Sequence, residues 1–438
     1  MFEALINAFR APDIRRRILF VLGMLVVFRF LAHVPVPGVD REALEGLLSQ
    51  QQFLQLLNLF SGGGLANFSI VAMGVNPYIN ASIIMQLMTG TVPRLQQLSR
   101  EGEYGRNKIN QYTRYLTVPL AFLQAYGYLA LLSAPGAGGG PAVITNFDLT
   151  SISTLTQMFT LAAGTILTMW IGELITERGI GNGISFIIFA GIVSQLPAGI
   201  QAFMESPDLA AGLAFLVLAI IAVAVIVHIQ EGQRRIPIQY ASRVRGRRMY
   251  QGGATFLPLR VNQAGVIPII FAISILLFPT QIASYFSNSE VDIVRQGANA
   301  VIAFLDQNGL AYAVIYFLLT VGFTFFYTAF TFKPDETADQ LRKNGGFIPG
   351  IRPGSPTREY LARVVFRISL AGALFLGIVA VSPILVAAAF RTAGGGGVLA
   401  TSFGLGGTAL LIVVSVVVET MKQLEAQLMM RNYEGFIR

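Results

Sequence analysis

Little in this chain of 438 residues could perform covalent or redox chemistry. With no cysteine there is no thiolate metal site, no disulfide and no cysteine nucleophile. His33 and His228 are its only histidines. No carboxylate pair, serine elbow or phosphate loop accompanies them, so no catalytic set, metal site or cofactor is expected. The run Gly179-Ile180-Gly181-Asn182-Gly183 invites a nucleotide-binding reading. No strand precedes it and no lysine follows, so a tight turn between helices accounts for it better. Recognition chemistry is better represented. Arg234, Arg235, Arg243, Arg245, Arg247, Arg248 and Arg260 crowd residues 231–260, interleaved with Tyr240 and Tyr250. Such a patch suits phosphates or an acidic protein face, and guanidinium suits bidentate contacts better than ammonium does. Arg352 stands alone in Gly345-Gly346-Phe347-Ile348-Pro349-Gly350-Ile351-Arg352-Pro353-Gly354, a turn that would hold one guanidinium in a defined direction. Isoleucines recur at i and i+4 as Ile79/Ile83 and Ile184/Ile188, each pair stacked on one helix face.

The elements that must position these residues are membrane spans. At 54% hydrophobic and 12% charged, the chain is too apolar for a soluble domain. Ten apolar blocks can be marked, at residues 18–34, 60–92, 115–134, 154–175, 184–200, 209–229, 264–286, 310–331, 364–390 and 398–418. An even number puts both ends on one side. That side holds 27 of the 31 basic residues but only 14 of the 23 acidic ones, which makes it cytoplasmic by the positive-inside rule. Arg10, Arg15, Arg16 and Arg17 before the first block resemble a signal peptide's start. No small-residue cleavage site follows, so a retained first helix is expected. Arg29 and His33, near that helix's outer end, should snorkel outward or face protein. Residues 41–57 carry leucines at amphipathic spacing without the length to span, and are expected to lie at the outer interface.

The second block is broken. It opens Phe60-Ser61-Gly62-Gly63-Gly64, continues from Leu65 to Gly74 as an expected half-helix, stops at Asn76-Pro77 and restarts at Tyr78. Ten to twelve residues at about 1.5 Å each cover roughly half of a hydrocarbon core about 30 Å thick. A backbone break at membrane depth is tolerated only where protein or a water-filled cavity surrounds it, so this one belongs beside a path. Ser61, Asn67 and Ser69 suit a part-time aqueous position. Asn67-Phe68-Ser69 and Asn80-Ala81-Ser82 match a glycosylation pattern but sit in no exposed loop.

Phe60-Ser61-Gly62-Gly63-Gly64, followed by Gly74-Val75-Asn76-Pro77-Tyr78-Ile79-Asn80-Ala81-Ser82-Ile83-Ile84, resembles the plug and second helix of the SecY/Sec61-alpha family of protein-conducting channel subunits. Gly179-Ile180-Gly181-Asn182-Gly183-Ile184-Ser185, Gly406-Gly407-Thr408-Ala409-Leu410-Leu411-Ile412 and both arginine loops resemble the same family. The resemblance covers nearly the whole chain. It implies an all-α polytopic membrane protein, ten transmembrane helices in two five-helix pseudo-symmetric halves around a central pore, residues 1–200 and 201–438. It implies a pore ring of Ile79, Ile83, Ile184, Ile188, Ile270 and Ile412, and a plug at 60–74 including Phe60, Ser61, Gly62, Gly63, Gly64, Leu65, Asn67 and Ser69. A lateral gate between spans two and seven would involve Gln86, Thr89, Asn262 and Ser274, with polar groups pairing across the seam. Arg243, Arg247, Arg248 and Arg352 would meet a SecA-type ATPase motor or the ribosome. SecE-type and SecG-type small membrane subunits, secretory preproteins, membrane-protein segments and the lipid bilayer complete the implied partners. The implied location is the bacterial cytoplasmic membrane with both termini cytoplasmic.

Branched apolar side chains offer ions no ligands and dewet a narrow pore, yet can part around any extended polypeptide. Broken helices in two halves also fit a secondary solute transporter. That alternative calls for mid-membrane charge, whereas Glu173 and Glu419 stand at the cytoplasmic ends of their blocks and no acidic residue falls mid-span. A passive conduit driven from outside is the better expectation.

Overall fold

The computed structural model describes residues 9, 11–50, 54, 57–58, 61–133, 143–144, 147–148, 151–205, 209–240, 243–245, 248–250, 253–287, 291–306, 309–392 and 397–434. In chain order its helices and strands are α1 Pro12–Leu31, α2 Arg41–Gln50, α3 Asn76–Thr91, α4 Pro93–Arg100, α5 Glu103–Ser133, α6 Ile152–Arg178, α7 Gly183–Glu205, α8 Leu209–Glu231, β1 Gln233–Tyr240, β2 Arg243–Arg245, β3 Arg248–Tyr250, β4 Ala254–Arg260, α9 Ile267–Phe286, α10 Asp292–Phe304, α11 Leu310–Thr331, α12 Pro334–Lys343, β5 Gly346–Phe347, α13 Ser355–Thr392 and α14 Gly397–Glu434. Pro12, Pro77, Pro93, Pro268 and Pro334 each fall in the first positions of a helix, where the missing N–H would have had no intrahelical partner. Among the described residues, Glu103–Ser133, Ile152–Arg178, Ile267–Phe286, Leu310–Lys343 and Ser355–Ser382 are long and apolar enough to cross a membrane. The remaining apolar blocks also fall on helices, α1, α3, α7, α8 and α14.

Neighbouring helices meet where glycine removes a side chain. A Cβ on Gly127 of α5 would fall 1.8 Å from the ring of Tyr285 in α9, and one on Gly183 would fall 1.9 Å from the Gly172 carbonyl of α6. Small residues at helix contacts are how membrane bundles bring backbones close. The turn from α6 to α7 is tight, as its glycines predict. Gly181 has φ +83°, and the Asn182 Oδ1 accepts hydrogen bonds from the N–H groups of Ile184 and Ser185 at 3.0 and 3.3 Å, capping α7. Next to Gly172, the Arg114 Nε of α5 reaches the Glu173 Oε1 of α6 at 2.6 Å. Helix α9 packs on both α3 and α5, and α14 on α7, joining the first and second halves of the chain.

Alongside the helices stands a small sheet. β1 pairs antiparallel with β4, with Ile236 opposite Leu257, and with β5, with Gln239 opposite Phe347. Ile236, Ile238 and Leu259 bury one face against Leu341, Ile348, Leu361, Val364 and Val365. The two arginine loops, a hundred residues apart in sequence, are therefore one folded unit. Sequence reading treats them as separate loops because strands this short bury only two or three residues each.

Two expectations are corrected. Residues 61–75 contain no α-helix; they form successive turns, and α3 begins at Asn76 rather than Tyr78. The glycines and an extended pairing, Pro35 with Ser69, supply backbone partners that a half-helix would have made internally. The leucines of 41–57 pack against protein rather than presenting an apolar face to lipid. Leu44, Leu47, Leu48, Leu54 and Leu57 are buried in the protein's main apolar cluster.

Candidate functional site

The broken segment is folded by its own polar side chains. The Ser61 Oγ donates to the Asn58 carbonyl at 3.1 Å and accepts the Leu65 N–H at 3.1 Å, while the Asn58 Oδ1 accepts the Ala66 N–H at 2.8 Å. Both the Oγ and N–H of Ser69 donate to the Gly64 carbonyl, at 3.0 and 2.8 Å. Ser61 and Ser69 are wholly buried, and here their hydroxyls satisfy the turn itself rather than water. Asn67 is half-buried, its amide directed to the carbonyls of Ala32 and Gly63. Gly62 and Gly63 hold φ of +70° and +81°, values that favour glycine. Phe68 holds φ +39° with its ring buried, a conformation costing about 1–3 kcal/mol that its backbone pairing with Val36 at 2.9 Å helps to hold. Phe60, expected at the start of the plug, lies outside the described residues.

Helix α6 provides the seat. A Cβ on Gly164 would stand 1.8 Å from the Ile70 carbonyl oxygen and 3.3 Å from the Val71 nitrogen. Backbone cannot rotate out of the way as a side chain does. Gly164→Ala is therefore expected to cost about 1–3 kcal/mol through overpacking. Gly23→Ala in α1, with nothing within 4 Å of its Cβ, is the neutral comparison in a thermal-unfolding series. Equal melting temperatures for the two variants would remove the seat from this account.

Beneath the segment, Leu65, Phe68, Val71, Ala72 and Met73 share one continuous apolar cluster with Ile79, Ile83, Ile188, Ile270 and Ile412. Those five of the six isoleucines expected in the ring are buried: Ile412 and Ile188 completely, the others at 3–6% exposure. Ile184 is only half-buried, and its Cδ1 lies 2.5 Å from where a Cβ of Gly172 would be, so it serves the α6–α7 contact. Ile192, one further helical turn from Ile188, is buried in the cluster at 4% exposure. Continuing the i, i+4 period from Ile188 toward the carboxyl end, instead of back to Ile184, would have found it.

The expected gate residues keep their hydrogen bonds to themselves. The Gln86 amide donates to the Ser82 Oγ at 3.4 Å, the Thr89 Oγ1 to the Met85 carbonyl at 2.7 Å, and the Asn262 amide to the Gly265 carbonyl at 3.0 Å. Ser274 is half-buried on α9. Among the described residues no hydrogen bond joins Gln86 or Thr89 to Asn262 or Ser274, which corrects the expected pairing across the seam. The Oε1 of Gln86 and Oδ1 of Asn262 are left buried without partners. A seam without polar crosslinks has no directional bonds to break when it parts.

The arginines divide. Arg243 and Arg248 lie on the β2–β3 hairpin, paired to Tyr250 and Arg245, with side chains outside the described residues; Arg247 lies outside them altogether. Arg352 is exposed in a turn set by Gly350 and Gly354, at φ +81° and +107°. Its carbonyl accepts the Thr357 Oγ1 at 2.8 Å, and the Asp335–Arg358 ion pair at 3.0 Å ties α12 to the start of α13 beside it.

This geometry has counterparts. Solved structures of similar fold include one described as "The structure of a protein conducting channel", with TM-score 0.61, 16% identity, and 93% of this chain and 91% of that one covered. Another, concerning the plug domain of the SecY protein, matches with TM-score 0.65 and 17% identity over the same shares. Sec61 in a canine ribosome-channel complex gives TM-score 0.61 at 17% identity, again with 93% and 91% covered. In sequence, the chain is 44% identical to the protein translocase subunit SecY of Mycobacterium bovis over 454 residues, and 44% identical to that of Streptomyces galbus over 456, with both chains covered completely in each case. The SecY family model matches residues 69–421, from the Pro35-paired Ser69 to the helix that carries Ile412. By fold, by full-length similarity and by family match, the chain belongs to the SecY family.

Proposed function

We propose that the chain is the channel-forming subunit of a protein translocase, passing unfolded, signal-bearing polypeptides across the membrane and releasing apolar segments sideways into lipid. The observation that carries this is the single apolar cluster that holds Ile79, Ile83, Ile188, Ile270 and Ile412 from four helices together with buried residues of the turn-folded segment 61–75. A closure built only of apolar side chains has nothing to bind an ion or solute, and its dispersion contacts reform around whatever replaces them. In this reading residues 61–74 are the plug and α3 and α9 the gate. An amphipathic or apolar signal helix opens the seam by binding the parted state better than the closed one. The halves are residues 1–200 and 201–438.

The arginine-bearing sheet and the Arg352 turn are the docking face for a SecA-type motor or the ribosome, and SecE-type and SecG-type subunits accompany the chain. The strong excess of arginine and lysine on the side of the termini supports a bacterial cytoplasmic membrane location with both termini cytoplasmic. The missing cysteines make the test clean. The chain and its small partners are placed in vesicles with motor, ATP and a precursor carrying one cysteine, and the precursor is trapped against Ile83→Cys. ATP-dependent protease protection with a crosslink at position 83 is expected. Absent protection together with saturable small-solute uptake would replace the channel by a solute transporter.

A further inference from the structure

Arg29 is a cation in the last turn of a span, and among the described residues no carboxylate pairs with it. Ionisable groups at such depth are costly and usually functional. Its guanidinium Nη1 donates instead to the backbone carbonyl of Gly62, thirty-three residues away at the start of the broken segment. The His33 Nδ1 bonds the Arg29 carbonyl at 2.8 Å, within the same turn, and leaves the guanidinium free for that contact. From α7 a second donor arrives at the same place. The Gln195 Nε2 reaches the Asn58 carbonyl at 3.2 Å. Between the two donors the walls close on Gly62: a Cβ there would meet the Cα of Gly191 at 3.0 Å and the Phe28 ring at 3.2 Å. Phe28 and Arg29 are neighbours on α1, and Gly191 and Gln195 lie one turn apart on one face of α7. Each helix therefore presents a packing surface and a hydrogen-bond donor to one short stretch of backbone.

We propose that Arg29 and Gln195 are positioning residues that latch the plug through the main-chain carbonyls of Gly62, within it, and of Asn58, just ahead of it. The proposal rests on residues 61–74 being the plug. Both acceptors are backbone, so the latch is indifferent to most side chains of the segment and demands glycine only at position 62. It also ties plug release to the helices that hold it. Motion of one helix alone leaves the other bond in place, so full release requires the segment to part from both α1 and α7.

The test reads plug position directly. Ala72 is buried within the segment, and Ala72→Cys would supply the chain's sole thiol, open to an impermeant maleimide only when the segment leaves its seat. In purified resting channel reconstituted with its small partners, Arg29→Met and Gln195→Met are each expected to speed labelling about tenfold. Arg29→Lys, which keeps one charged donor, should stay within about threefold of the parent. Exposed Thr91→Cys, at the far end of α3, supplies the reference rate and should not change. Unchanged labelling in both methionine variants, Arg29→Lys as fast as Arg29→Met, or an equal rise at position 91 would each overturn the latch. Deleting residues 61–73 is the separate check on the plug itself. Resting ion conductance unaffected by that deletion would refute the plug reading, whereas raised conductance with unchanged labelling would refute the latch alone.

Discussion

Ile412→Asn raises resting ion conductance of reconstituted channels about tenfold, while Ile412→Val leaves it near the parental level. Ile412 is completely buried in the cluster that joins α3, α7, α9 and α14 below the broken segment. Valine keeps an apolar, β-branched wall and loses one methylene, worth about 0.5–1.5 kcal/mol of packing. Asparagine offers water and ions a ligand where none stood, and a narrow apolar constriction stays dry only while its walls have no such ligand. A tenfold change corresponds to about 1.4 kcal/mol in the equilibrium between sealed and conducting states, less than the cost of a buried polar group without a partner. The paired variants separate wetting from loosened packing. If valine leaks as much as asparagine, packing rather than polarity makes the seal. If neither leaks, residue 412 is ordinary core.

Arg352→Glu should reduce motor-driven translocation at least about a hundredfold while leaving the purified chain as stable as the parent. The side chain is exposed, so its replacement breaks no interior contact, and surface changes of this kind usually alter stability by about 0.5 kcal/mol or less. What the turn contributes is direction. Glycines at positive φ on either side, the Thr357 bond to the Arg352 carbonyl and the β5 pairing to β1 fix the backbone that aims the guanidinium. A docking arginine pre-set in this way loses less side-chain freedom on binding, and charge reversal meets an acidic partner face with repulsion. Arg352→Lys should retain part of the activity, since an ammonium keeps charge without the planar fork. Translocation per motor turnover and motor binding, measured on the same vesicles, decide it. A glutamate variant that translocates at the parental rate would leave Arg352 as a solvated loop residue.

Much of the membrane architecture was legible one residue at a time. Apolar blocks of span length can be satisfied only by helices in hydrocarbon, because every backbone group must find its partner within its own segment. The break at 60–77 was legible for the same reason: three glycines and a proline cannot sustain those bonds. The turn at 179–183 followed from glycine spacing. What the sequence could not supply was the partner of each broken backbone group. The carbonyls of Asn58, Gly62 and Phe68 are met by Gln195, by Arg29 and by the Val36 N–H, and the Ile70 N–H by the Val34 carbonyl, contacts that link residues from about thirty to more than a hundred positions apart. A half-helix was the natural reading for an apolar run in isolation. Turns replaced it because the segment's own serine and asparagine side chains, with a few distant partners, supplied the bonds.

The same division holds elsewhere. Ile184 and Ile188 are indistinguishable by spacing, yet Ile184 is half-buried against Gly172 of the preceding helix at the edge of the central cluster, whereas Ile188 and Ile192 are buried within it. The leucines of 41–57 carry an amphipathic period whichever apolar surface they meet, and the fold gave them protein instead of lipid. The arginine loops join through β1 and β5, a pairing of two residues on one side that no local pattern announces. Composition and periodicity determined that this chain crosses a membrane, where its helices run and where its backbone must break, since those depend on local hydrogen bonding and on which residues tolerate hydrocarbon. Only tertiary structure decided which isoleucines are buried in the central cluster, what holds the broken segment in its seat and that the loop carrying Arg352 joins a sheet through β5, because each of these is a contact between distant residues whose energy exists only once both are in place.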